Sequence, residues 1–158
     1  MPSTPIRKQI MSKVRRVVVK VGTNLLTRDH GQIDRRVISS IARQLATLTN
    51  QGLQVTLVSS GAVGSGIGRT GLPGRPKSMP MLQATAAIGQ PALMSFYERA
   101  FARHQLHVGQ LLVTRADFEQ RNRYVNISNT ISALHRLKAI PVLNENDTVA
   151  VDELDRFA

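Results

Sequence analysis

Four short apolar runs, each closing on a cluster of glycine, hydroxyl, amide or acidic residues, set the tightest limit on how this chain folds. Val17 to Lys20 runs into Val21, Gly22, Thr23 and Asn24, and Val55 to Val58 runs into Ser59, Ser60 and Gly61. Leu111 to Val113 runs into Thr114, Arg115, Ala116 and Asp117, and Ile140 to Leu143 runs into Asn144, Glu145, Asn146 and Asp147. Short β-rich runs separated by segments of helical period predict parallel strands joined by crossover helices. Parallel strands place all their carboxyl ends on one edge, where α/β proteins bind ligands. The expected fold is therefore α/β, with four polar clusters converging on one crevice. A small-molecule site, an enzyme's, is the expected use of that crevice.

Element by element, residues 15–21 read as a buried strand and 22–32 as a polar loop. From Asp34 the apolar positions Val37, Ile38, Ile41, Leu45 and Leu48 keep helical spacing, and Gly52 ends the segment as a carboxyl-terminal cap does. Residues 53–58 form the second strand, followed by the glycine-rich Gly61 to Gly68 and a Pro/Gly-rich connector from Gly71 to Pro80. Met81 to Gly89 reads as one helix, and Pro91 as the first turn of another that runs to Phe101. A strand over 108–114, a helix over 126–137 and a strand over 140–144 follow. Residues 148–158 show no closing element, and residues 1–14 read as a basic, disordered leader.

The charge balance is the odd bulk property. Lysine and arginine number 21 against 10 acidic residues, a net charge of +11. Such an imbalance raises nucleic-acid binding as a hypothesis. The basic residues are scattered among many segments, however, and only 4% of residues are aromatic, which leaves little for base stacking. Five acids (Glu145, Asp147, Asp152, Glu153, Asp155) crowd into the last residues, so part of the imbalance reflects where the sequence stops. An anionic small substrate accounts for the charge as well as a polynucleotide does. No apolar stretch approaches the ~20 residues of a membrane helix, and the amino terminus lacks the apolar core of a signal peptide. Zero cysteines rule out disulfide and thiolate chemistry and suit a cytoplasmic protein.

Lys20 sits near the end of an otherwise apolar strand, beside a glycine. Its alternatives are an anion partner or a snorkelling route to water, because an ammonium desolvated alone is costly. Ser59 to Gly66 is a strand-to-helix turn rich in accessible N–H groups, the arrangement that binds anions. Gly66 to Gly71 spells G-x-G-x-x-G, but it starts well after the strand, and no acid stands between Asp34 and Glu98 to hold a ribose. Asn144 to Asp147 reads either as an Asx-rich turn or, at the carboxyl edge of a parallel sheet, as a site for an amine or a metal–phosphate. Asp117 and Arg121 to Tyr124 read as the cap and solvated face of the next helix. The four histidines have no ligand spacing, so no metal site is expected.

These segments, in this order, resemble the amino acid kinase family. The matching text is Val17-Val-Val-Lys-Val-Gly-Thr23, Val58-Ser-Ser-Gly-Ala-Val63 and Gln83-Ala-Thr-Ala-Ala-Ile-Gly-Gln90. It continues through Val108-Gly-Gln-Leu-Leu-Val-Thr-Arg-Ala-Asp117, Arg123-Tyr-Val-Asn126 and Pro141-Val-Leu-Asn-Glu-Asn-Asp147. The last block is the most specific, since family branches acting on aspartate, uridylate or acetylglutamate carry different text there. The resemblance implies a three-layer αβα sandwich around a mainly parallel sheet. It implies transfer of a phosphoryl group from ATP, with Mg2+, to the γ-carboxylate of L-glutamate, the first step of proline synthesis. By resemblance Lys20 contacts the transferring phosphate, Gly22 lines the nucleotide-phosphate side, and Ser60, Gly61 and Asp147 bind glutamate. Proline feedback inhibition and a homo-oligomer are implied for the full-length protein, with no membrane or nucleic-acid partner for this segment.

Two departures from the family pattern stand out. Asn24 takes the place of a serine in many relatives. The chain also stops where the family continues into a Gly-Asp-Asn-Asp segment, an ATP-binding half and, in many members, a PUA domain. Residues 15–158 are accordingly expected to be the glutamate-binding half of a truncated kinase domain, inactive alone and prone to aggregate through an exposed sheet edge. The alternatives are another small-carboxylate kinase of the same family, or a non-catalytic basic binding module.

Overall fold

A computed structural model of the chain describes residues 9–28 and 31–150. The carboxyl-terminal residues 151–158, and 1–8 of the expected leader, lie outside the described residues; 9–11 form a single helical turn. Four strands make one all-parallel sheet: β1 (Arg16–Val21), β2 (Gln54–Ser59), β3 (His107–Val113) and β4 (Ala139–Glu145), in the order β1-β2-β4-β3. Six helices connect them: α1 (Thr23–Leu26), α2 (Arg35–Asn50), α3 (Ala62–Thr70), α4 (Met79–Ala102), α5 (Arg115–Glu119) and α6 (Arg121–Arg136).

The sheet has helices on both faces. Val19, Val21, Leu57 and Val142 point to one face and share a core with Ile38, Ala42 and Leu45 of α2 and Leu93, Tyr97 and Phe101 of α4. The opposite face carries α6. There Gly109 of β3 makes room for Leu134, whose Cδ2 would lie 2.5 Å from a β-carbon on that glycine. Thr56 Oγ1 of β2 meets His135 Nε2 at 3.2 Å. These are the three layers that the resemblance implied.

Local signals explain most boundaries. Asp34 caps α2, its carboxylate accepting from the Arg36 and Val37 N–H groups. Asp117 closes a capping box on Thr114 and pairs with Arg123 at 2.9 Å, so it does serve the helices that follow β3. Three expectations need correction. The loop over 22–32 contains the short α1, whose Leu26 is fully buried. Helix α6 starts at Arg121, not at 126, because its polar first half still carries helical spacing. Pro91 lies inside α4 rather than opening a second helix. Proline removes the hydrogen bond to Ala87, at a cost of ~3 kcal/mol. Ala87 and Pro91 are both on the exposed side of α4, where water reaches the freed carbonyl. Burial of Leu93, Tyr97 and Phe101 beyond the proline, each contributing ~1.5–3 kcal/mol, outweighs the rest.

Candidate functional site

β2 ends at Ser59, and Ser60 and Gly61 turn the chain into α3. Gly61 sits at φ +103°, ψ 12°, a left-handed conformation that a side chain would strain. That turn aims the first N–H groups of α3 beyond the edge of the sheet, and no acid in the first turn competes for them. The neighbouring β4 ends in the same place. Its Asn144 is buried, and Asp147 follows two residues after the strand. Between these two strand ends and α1 lies a cleft of about 210 Å³, lined by Thr23, Asn24, Ser60 to Gly64, Arg75, Asn144 and Asp147. A second hollow of about 260 Å³ adjoins it, sharing Ala62 and Asp147 and walled by Gln90, Pro91, Gln110 and Leu112 among others.

Two buried hydrogen bonds to α4 hold the cleft wall. Tyr97 Oη lies 2.8 Å from Ser59 Oγ, which in turn donates to the Ser60 carbonyl at 3.2 Å. Burial pushes the Tyr97 hydroxyl up to about 12, with the Ser59 bond acting in the opposite direction, so it stays protonated across the physiological range. Asn144 Nδ2 donates to Gln90 Oε1 at 2.7 Å. The cleft therefore has fixed walls, amide donors at a helix start, one cationic and one carboxylate side chain. That set suits a small molecule bearing both a carboxylate and an ammonium group.

Of the five sequence-derived site residues, the fold brings Ser60, Gly61 and Asp147 together in the cleft. Lys20 and Gly22 do not line it. Lys20 alternates with Val18 and Arg16 onto the exposed face of β1, opposite Val58, one residue before the strand ends. Gly22 is exposed at the start of α1, with no atom within 4 Å of where a β-carbon would stand. Sequence reading missed Arg75. It lies in the Pro/Gly-rich connector, which carries no periodic signal, and only the fold returns that connector to the cleft. It also missed Gln90, whose partner Asn144 is 54 residues away.

The pattern of strands, turns and cleft has a counterpart among known proteins. Residues 15–157 match the model of the amino acid kinase family. The chain belongs to that family. This family member is 48% identical to a glutamate 5-kinase of Citrifermentans bemidjiense over 149 residues, 94% of the chain and 40% of that relative. A glutamate 5-kinase of Clostridium acetobutylicum is 48% identical over 148 residues, 94% of the chain and 55% of the relative. One from Thermus thermophilus is 52% identical over 140 residues, 89% of the chain and 38% of the relative. This amino acid kinase chain thus spans roughly half or less of the relatives it matches, and the match covers the cleft from Thr23 to Asp147. Among the described residues no helix is long and apolar enough to cross a membrane.

Proposed function

We propose that this chain supplies the acceptor-binding half of a cytoplasmic kinase that transfers the γ-phosphoryl group of ATP to the γ-carboxylate of L-glutamate. The observation that carries the reading is the meeting of Ser60, Gly61 and Asp147 in one cleft at the carboxyl edge of the sheet, in a chain similar to proteins named glutamate 5-kinase. Asp147 is the partner for the substrate ammonium, and the Ser60–Gly61 turn with the first amides of α3 holds carboxylate oxygens. The γ-carboxylate is already ionised at neutral pH, so the reaction needs no general base. The protein's share is positioning and positive charge. Lys20 supplies that charge to the transferring phosphoryl group from the neighbouring strand end.

ATP provides the phosphoryl group and its phosphates carry Mg2+. The open space around Gly22 fits the close approach of a phosphate to the backbone. Among the described residues no three His, Asp or Glu side chains gather to hold an ion, which suits a metal held mainly by the nucleotide. Inhibition by proline at or beside this cleft, and assembly of the longer protein into a homo-oligomer, go with the same reading.

The test is calorimetric titration of the 158-residue chain with L-glutamate, L-aspartate and N-acetyl-L-glutamate. L-Glutamate is expected to bind best, and Asp147→Asn to weaken it by about tenfold or more, as loss of a charge-assisted pair does. Equal binding of all three acids, or an unaffected Asp147→Asn variant, overturns the reading. In a longer protein carrying this chain, Lys20→Ala is expected to abolish turnover while leaving glutamate binding intact.

A further inference from the structure

The groove between the amino-terminal half of α2 and the carboxyl-terminal half of α4 is lined by arginines from distant parts of the sequence. Arg35 opens α2, Arg69 lies in the last turn of α3, Arg99 lies in the last turn of α4 and Arg103 follows that helix. Two adjoining hollows, of about 170 and 310 Å³, share Arg35 and Phe96 and together include all four arginines. The guanidinium carbons of Arg35 and Arg99 lie 5.3 and 5.4 Å from the centroid of the Phe96 ring. Neither hollow shares a lining residue with the cleft at the sheet edge.

No carboxylate lines this groove among the described residues, and none of the four arginines is in an ion pair there. The acid next in sequence, Asp34, is engaged elsewhere: it pairs with Arg28 at 2.6 Å and caps α2. Gathering four like charges without counter-charge is unfavourable, by ~1 kcal/mol for a pair 4 Å apart even in water. The Phe96 ring offsets part of this for two of them. A bound anion reverses the sign of the whole term.

We propose that this groove is a binding site for a small polyphosphate anion, distinct from the candidate active site. The guanidinium fork matches phosphate oxygens two at a time. Balancing four cations in so small a space requires several negative charges on a short ligand, which linked phosphates carry and a monocarboxylate does not. Phe96 is the one aromatic residue among the lining residues, and it already has arginine partners, so base stacking of the kind that holds single-stranded nucleic acid is not provided for.

The experiment titrates inorganic tripolyphosphate, and orthophosphate in parallel, into the 158-residue chain at physiological salt, with calorimetry and thermal shift as readouts. It requires no kinase activity. Arg99→Gln/Arg103→Gln is expected to weaken tripolyphosphate binding by about tenfold or more. Arg121→Gln/Arg136→Gln removes the same charge from α6, across the sheet, and is expected to change it by about twofold at most. Equal weakening in the two variants would mean diffuse attraction to a basic chain and overturns the site. Orthophosphate binding as tightly as tripolyphosphate overturns the polyphosphate assignment, and absence of binding at about 1 mM, an affinity of ~4 kcal/mol, overturns both. Arg35→Gln, checked by far-UV circular dichroism, gives the same comparison should the first variant fold poorly.

Discussion

Asn144 Nδ2 and Gln90 Oε1 lie 2.7 Å apart, both side chains buried, joining the end of β4 to the middle of α4. Asn144 lines the cleft, so its orientation is set from behind by a residue that does not. Gln90 Nε2 has no protein partner among the described residues. Gln90→Met therefore strands the Asn144 amide but also removes a donor that was already unpaired. A cost of ~1 kcal/mol is expected by urea unfolding. Asn144→Leu alone should cost a similar amount, and the double variant clearly less than the two together, because no stranded partner remains. Strict additivity would show that the pair is not coupled.

Tyr97→Phe keeps the ring, which packs 6.5 Å from Phe101, and deletes the hydroxyl that meets Ser59. The expected loss is ~1 kcal/mol of stability, with a several-fold weaker grip on L-glutamate because the Ser60 peptide loses its brace. The raised Tyr97 pKa also has a pH signature. Its stabilising effect is complete below the unfolded value of 10 and is lost as pH rises through about 12. Wild type should lose stability in that alkaline window more steeply than Tyr97→Phe.

His135 works in the acid direction. Burial, and then the charge of Arg16, hold its pKa below the ordinary 6.5. A depressed folded-state pKa gives stability that is present above 6.5 and is lost as pH falls through the folded value. Unfolding midpoints measured between about pH 7 and pH 5 should fall for wild type and fall less for His135→Gln. Identical slopes would remove His135 from the account.

Gly89→Ala should be the most damaging single methyl in the molecule. A β-carbon there would overlap the Ala62 carbonyl oxygen and the Gly66 nitrogen, both backbone atoms of α3 that cannot rotate away. The expected cost is about 3 kcal/mol. Since Ala62 lines the cleft, any surviving fold should bind glutamate poorly. A stable, fully binding Gly89→Ala protein would show that α3 and α4 can separate without consequence.

Much of the scaffold was legible in the chain. Alternating and continuous apolar runs marked all four strands, Asp34 and Gly52 bracketed α2, and Asp117 announced its capping role, since each depends on neighbours a few residues away. Pro91 was misread because its local penalty is real; burial against the sheet, a non-local term, overrides it. Ser60, Gly61 and Asp147 were recoverable because they follow strands directly, and parallel strands carry whatever follows them to one edge.

The sequence by itself determined the strands, their parallel arrangement and the edge at which the cleft forms, because side-chain period and turn chemistry are local properties. Only the tertiary structure decided that Arg75 returns to that cleft, that Gln90 braces Asn144, and that Arg35, Arg69, Arg99 and Arg103 surround Phe96. Those juxtapositions depend on how whole helices pack across the sheet. No spacing along the chain encodes them.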